Sequence, residues 1–511
     1  MDYSDMATAS AGQTARAIRC KEISPTEAVG AAIDRIERLN PHLNAFVYCA
    51  FDEARAVAAQ ADDLVASGIQ DLPPLLGVPS AIKDLFDFVP GWPATFGGIP
   101  ALHDFSPPAT CLWAERMQAA GAILLGKTNS PVLGFRGTCD NPLFGATGNP
   151  FDPARNSGGS SGGAAAAVAS GMLPIAEATD GGGSIRIPAS WCGVVGMKSS
   201  WGRVPVVTRP NAFGGINPFV CEGAVARTTE DLALALAVVS GLHPGDPLAR
   251  GDAFTVEGAL PRMARGVSGL RIAYSPDLGG FPVEPGVRGV VEAALSAFEE
   301  AGGSVELVET RLPRDSQELA RGWCRLISAR NYQAVLSLRN AGFDGMGRDA
   351  DQLPPALRDY LAEAARMTVQ EFEALQVMRT EVYDFVQSFF TGRQGTSDGS
   401  AGFDLLVCPT TAATAVPNGP RGETVGPLQV NGAEVDPYIG WCLTFPMNFS
   451  GHPAASVPAG MLAGLPVGLQ VIGPLGADAD VLAAAWAVEQ VRPWAHTYSE
   501  TELSRAHMRR E

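Results

Sequence analysis

The chain has 511 residues, 46% of them hydrophobic and 18% charged, enough for two or three ordinary domains or one large α/β domain whose core needs no disulfide or metal staples. Its net charge of -17 lacks the basic footprint that nucleic acid or an anionic membrane surface requires, and 58 glycines in a weakly charged chain argue against disorder and coiled coil. No apolar run reaches bilayer-spanning length, nine cysteines form no CxxC pair, and six histidines show no metal-ligand spacing, so no membrane span, metal or cofactor is expected. With no basic-then-apolar segment in Met1-Asp2-Tyr3-Ser4-Asp5, the cytoplasm is the expected compartment.

In chain order, the N-terminal region to about residue 70 reads as helical. Ser24 and Glu27 form a capping box around Pro25, and Ala28, Ile33, Ile36 and Leu39 give an apolar stripe that Pro41 is expected to end. A second helix covers Ala54 to Val65. The pattern then becomes α/β: a buried strand at Val78 to Ile82, a helix from Cys111 to Ala120 capped by Thr110, and a strand at Ala122 to Leu125. Pro150 to Ser157 reads as a loop, and Ser161 to Ala169 as a tightly packed helix of small residues. Asp231 to Val239 is a helix opened by Thr228, Leu270 to Tyr274 a strand, Val287 to Glu300 a helix, and Val305 to Val308 a strand. Residues 315–390 are mostly helical. Strands resume at Leu405 to Val407, Ala455 to Val457 and Val467 to Ile472, and Val481 to Val491 forms a last helix. The alternation predicts a sheet covered by helices on both faces. We therefore expect one domain over 1–511, with residues 315–390 a helical insertion between strands of one sheet.

Of 37 basic residues only four are lysines, Lys21, Lys83, Lys127 and Lys198, and three of them fall between residues 77 and 205. Three motifs compete in that stretch. Gly121 to Thr128 matches GxxxxGK[ST], but its four central residues are an apolar strand, whereas a phosphate loop needs its exposed N–H groups after the strand. Gly158-Gly159-Ser160-Ser161-Gly162 fits a GxSxG nucleophile elbow, but no strand is expected before it, and His243, His452 and His496 have no distinctive setting as a base. The third is the whole run: Gly77-Val78-Pro79-Ser80-Ala81-Ile82-Lys83-Asp84, then Gly158 to Gly163, then Ser184 within Thr179-Asp180-Gly181-Gly182-Gly183-Ser184-Ile185-Arg186-Ile187-Pro188.

These residues resemble the motifs of the amidase signature family of serine hydrolases, over roughly half the chain and most strongly across residues 77–205. A weaker resemblance runs from Phe445-Pro446 and Asn448 to Ile472. The resemblance implies a large mixed β-sheet core and a catalytic set of Lys83, Ser160 and Ser184: Lys83 activates Ser160, which relays the proton of the nucleophile Ser184. It also implies a cis peptide before Ser160 and an oxyanion hole built from the backbone amides of Gly181, Gly182, Gly183 and Ser184. A lysine can serve as base only if it is largely neutral near pH 7, and a buried position supplies that by disfavouring the ammonium. Asp180, Arg186 and Ser161 are expected to support the loops, Lys127 and Lys198 to be structural, and Cys192 to be a packed small hydrophobe. Phe135, Trp191 and Trp441, with Phe86, Phe88, Trp92 and Phe96, are candidates for an apolar pocket, although aromatic side chains more often fill cores.

Gly181 stands where the family usually has Thr or an aliphatic residue, which suggests room for bulkier acyl groups at some cost in preorganisation. The expected activity is hydrolysis of small, apolar or aryl amides, with esterase or carbamate cleavage within reach of the same chemistry. The alternative is the glutaminase-type subunit of a tRNA-dependent amidotransferase; that subunit resembles S-I-R-Q-P, whereas Ile187 replaces the Gln here. The expected partner is the small-molecule substrate, and a homodimer is consistent with the resemblance.

Overall fold

The computed structural model describes residues 9–251, 254–392 and 402–500; the opening Met1 to Asp5 lie outside them. Helix Ala11–Arg19 begins on a reciprocal Ser10/Gln13 box, and helix Pro25–Leu43 on the expected Ser24/Glu27 box. Pro41 does not end the second helix. It lies in the last turn, where it removes one hydrogen bond but the helix runs only two residues further, and Asn44 closes the helix in the left-handed conformation that asparagine tolerates.

Three strands, β1 (Phe46–Cys49), β2 (Pro79–Lys83) and β3 (Ile123–Thr128), form a small sheet in the order β1-β3-β2, with β3 antiparallel to β1 and parallel to β2. The GxxxxGK[ST] match is thus mostly a strand, and Gly126 within it is required because a Cβ there would overlap the Tyr48 carbonyl of β1. Helix Leu112–Ala119 starts after Cys111, not Thr110, and has no side-chain cap; the Cys111 N–H is held instead by the Phe88 carbonyl. Asp152–Asn156, expected to be loop, is a strand (β5) that forms a short hairpin with β4 (Gly148–Asn149), separate from the main sheet.

The main sheet uses β6 (Ile175–Asp180), β7 (Val195–Lys198), β8 (Cys221–Ala226), β9 (Arg271–Tyr274), β10 (Ser304–Leu307) and β11 (Leu405–Pro409). After a two-residue hairpin, β12 (Gln429–Val430) with β13 (Ala433–Glu434), it is completed by β14 (Ala454–Leu462) and β15 (Leu465–Ile472). Its order is β10-β9-β11-β15-β14-β7-β8-β6, parallel across β10-β9-β11 and antiparallel elsewhere. Every residue of β6, β7, β11 and β15 is buried, which requires cover on both faces of the sheet. The expected helix over 287–300 is two, Pro285–Ala294 and Ser296–Glu300, divided at Leu295.

Helices Ser316–Ser337, Pro355–Ala364 and Val369–Thr391 lie in sequence between β10 and β11, both of which pair with β9. Val335, Leu338, Leu357 and Leu361 from this segment bury against Phe96, Leu102, Leu133 and Phe135 in a second apolar cluster. That packing brings the first of the three helices over the end of β6. Among the described residues no helix is long and apolar enough to cross a membrane.

Candidate active site

Strand β2 runs beside β6, the edge of the main sheet, and is joined to it by side chains: Ser80 Oγ donates to the Ile175 carbonyl at 3.1 Å, and the Lys83 N–H donates to Glu177 Oε2 at 2.7 Å. The Lys83 side chain is 0% exposed. Its Nζ lies 2.7 Å from Ser160 Oγ, 2.9 Å from Ser161 Oγ and 2.9 Å from Thr179 Oγ1. Burial lowers its pKa to about 8, against the opposing pull of the Glu177 and Asp87 carboxyls.

These contacts limit where the protons can lie. A neutral amine has two hydrogens and one lone pair, so one of three surrounding hydroxyls must donate to it. Ser161 accepts from the Thr179 N–H at 3.2 Å and has the Thr179 carbonyl at 3.3 Å as an acceptor for its own hydrogen. Ser160, which makes the shortest contact, and Thr179 are the hydroxyls whose hydrogens remain available to Nζ. The Gly159–Ser160 peptide is cis, and the loop carrying it is tied to its neighbours by Gly159 N–H to the Gly137 carbonyl at 2.8 Å and Ser161 N–H to the Ser184 carbonyl at 3.2 Å.

Strand β6 ends at Asp180, and the three glycines that follow lead to Ser184, which is 9% exposed, and to the short helix Arg186–Cys192. Asp180 organises this loop: its Oδ1 accepts from Gly183 N–H at 2.8 Å and Asn448 Nδ2 at 2.9 Å, its Oδ2 from Ile185 N–H at 3.2 Å, and both oxygens from Arg186 at 2.9 Å. Burial alone would raise this carboxyl, but the Arg186 charge and these hydrogen bonds outweigh it and hold it at about 2. Arg186 also donates to the Thr444 carbonyl, Gln470 and Asn448. The Gly183 amide is therefore already engaged by Asp180. Gly181, Gly182 and Ser184 are the three amides of the expected four with no acceptor among the described residues.

Two side chains that sequence reasoning missed shape the loop. Trp323, from helix Ser316–Ser337, donates Nε1–H to the Gly181 carbonyl at 2.8 Å, and its ring lies where a Cβ on Gly182 would be. Thr444 donates to the Gly182 carbonyl at 2.6 Å and blocks a Cβ on Gly183. The space that a side chain at Gly181 would enter is bordered by two apolar side chains. A Cβ there would meet Val220 Cγ2 at 3.2 Å and Ile327 Cδ1 at 3.7 Å.

Behind Lys83 lie Asp87 and Glu177, also missed; an acid within the apolar run Ile175-Ala176-Glu177-Ala178 was the available signal. Lys127 pairs with Asp84 at 2.7 Å, and Lys198 donates to the Ser199 carbonyl at 3.1 Å. Cys192 is buried. Phe135 packs on Tyr438, 5.8 Å between ring centroids. Trp191 and Trp441 stack on each other at 4.7 Å, both fully buried, with their N–H groups on the Ala413 and Pro437 carbonyls. The structure thus brings this tryptophan pair together as core and does not present either ring at an open surface. His452 bonds Gln387 and packs against Tyr383 and Phe390; burial drives its pKa down to about 3. Among the described residues no three His, Cys, Asp or Glu side chains are grouped to hold a metal ion.

Residues 27–482 match the family model described as Amidase. The chain is 35% identical to an acylamidase of Rhodococcus erythropolis, over 95% of this chain and 96% of the relative. It is 33% identical to a glutamyl-tRNA(Gln) amidotransferase subunit of Thermosynechococcus vestitus, over 93% and 96%. The crystal structure of a bacterial aryl acylamidase of the amidase signature family superposes with a TM-score of 0.91 at 43% identity, covering 96% of this chain and 98% of that one.

Proposed function

Because the chain belongs to the amidase family and is a hydrolase of carbon–nitrogen bonds, we propose that it cleaves small aryl or apolar carboxylic amides through an acyl-enzyme on Ser184. The observation that carries this reading is the fully buried Lys83 amine with hydroxyls at 2.7 to 2.9 Å. In acylation, the Ser184 oxygen bonds to the amide carbon as its proton passes to Ser160 and the Ser160 proton passes to Lys83. The carbonyl π pair moves onto oxygen, where the Gly181, Gly182 and Ser184 amides receive it; one such donor is worth about 3–4 kcal/mol. Collapse breaks the C–N bond, and the relay in reverse returns the proton to the leaving amine. Water then repeats the sequence on the ester.

The 43% identity to an aryl acylamidase and 35% to an acylamidase support the aryl preference. So does Ile187, an apolar side chain whose Cδ1 lies against Gly183, at the position where the amidotransferase pattern has Gln. The glutaminase-type reading rests on 33% identity. Purified protein alone should hydrolyse an anilide and leave glutamine intact, and a fluorophosphonate should label Ser184. Glutamine turnover without anilide turnover would replace this reading, and activity surviving Ser184→Ala with label at Ser160 would overturn the assignment of the nucleophile.

A further inference from the structure

Asp87 is 1% exposed and Glu177 0% exposed, and the two carboxyls lie within side-chain hydrogen-bonding reach of each other. Glu177 Oε2 accepts the Lys83 N–H. Neither Asp87 oxygen, nor Glu177 Oε1, receives a hydrogen bond from any fixed N–H or O–H donor among the described residues. Two buried carboxylates cannot face each other unless a proton lies between them. The other charged or titratable groups facing this pair are Lys83 from β2, Lys127 from β3, Cys111 ahead of helix Leu112–Ala119, and Glu222 from β8. Lys127 is already paired with Asp84.

We propose that Asp87 and Glu177 share one proton and one negative charge, and that this single charge is the counterion that stabilises the Lys83 ammonium formed when Ser160 delivers its proton. The pair is a positioning and tuning device, since neither carboxyl touches the Lys83 amine or the substrate. Burial pushes the Asp87 carboxyl up to about 6 and the Glu177 carboxyl well above the usual range, as a shared proton requires. Two negative charges would hold Lys83 as an ammonium, and none would leave a buried amine too weak a base to accept the relayed proton. The proton balance of catalysis is unchanged: Lys83 gains one proton in acylation and returns it to the leaving amine, while the pair keeps its own.

This inference rests on Lys83 as the base, but it can be tested on the resting protein without turnover. With only four lysines in the chain, 13Cε-lysine NMR resolves the titration of Lys83 directly. Glu177→Gln and Asp87→Asn each preserve one negative charge and one shared hydrogen, so each should leave the Lys83 midpoint within about half a unit of wild type. The double variant has no charge and should lower the midpoint by about one unit or more, a tenfold change in proton affinity. An unchanged midpoint in the double variant, or a full shift in either single variant, overturns the proposal. Neutron diffraction of the wild-type protein provides a test that needs no variant: a deuteron is expected between Asp87 and Glu177, and its absence refutes the shared proton. If Lys83→Met retained activity while these results held, Lys83 would fail as the base and the charge sharing would stand.

Discussion

Trp323→Phe tests whether the oxyanion loop is held from outside the glycine and serine motifs. The indole N–H is the donor to the Gly181 carbonyl at 2.8 Å, and the tryptophan is 3% exposed. Phenylalanine keeps a ring against Gly182 but leaves that carbonyl without its donor. An unsatisfied buried acceptor costs about 1–3 kcal/mol, and the loop can relieve the cost by turning the Gly181–Gly182 peptide, which would move the Gly182 N–H away from the oxyanion it is proposed to receive. If about 1.4 kcal/mol of that cost is expressed in the transition state, kcat falls about tenfold. KM should change little, because the Trp323 N–H is committed to the backbone and not to substrate. The assay is kcat and KM on an anilide, with the melting temperature measured alongside to separate loss of fold from loss of rate. A variant with unchanged kcat refutes the reasoning, and so does one whose KM alone rises, which would make Trp323 a substrate contact.

Gly181→Thr should produce a folded protein about 1 kcal/mol less stable, because Val220 Cγ2 at 3.2 Å from the new Cβ must give way slightly. Its ratio of activity on bulky against small acyl groups should match wild type; a selective tenfold loss on bulky amides would show that the glycine does open the acyl site. If Lys83 is the base, as proposed, its ammonium is the inactive form and the pH profile of kcat/KM should rise with a midpoint near 8, its pKa being lowered from 10.5 to about 8. At pH 7 about a tenth of the lysine is then neutral. The same shift makes native Lys83 bind fewer protons than the unfolded chain between about pH 8 and 10.5, so its contribution to stability improves as pH rises through that window. An activity limb centred below about pH 6 would exclude Lys83 as the titrating group.

Local signals were sufficient wherever one element carried the information. The Ser24/Glu27 box, the strand ending in Lys83 and the small-residue helix after Ser161 all follow from residues adjacent in sequence. Helix ends were less legible: Pro41 is a strong stop signal, yet one missing hydrogen bond in a final turn is tolerated. The site separates in the same way. Lys83, Ser160 and Ser184 lie in motifs, whereas Trp323 and Thr444 come from segments 139 or more residues away from Ser184 and act on backbone carbonyls that any residue would provide. No pattern of residue types announces such a contact. Glu177 differs, because an acid inside a short apolar strand already demands a partner that its neighbours in sequence cannot supply.

The scarcity of lysine bears on which of them is suited to act as a base. Lys83, Lys127 and Lys198 are each no more than 1% exposed, so burial does not distinguish the proposed base, Lys83, from the other two. Contact chemistry does. Lys127 touches the Asp84 carboxylate at 2.7 Å and the Pro93 carbonyl at 2.9 Å, partners that only accept hydrogen bonds. Lys198 likewise donates to a carbonyl, that of Ser199. Lys83 Nζ is met by hydroxyls, each of which can donate as readily as accept, so the amine can lose its hydrogen without losing its hydrogen bonds. In the proposed relay, acids placed one layer back, at the backbone N–H and beyond, would keep the ammonium attainable without locking the resting amine into it.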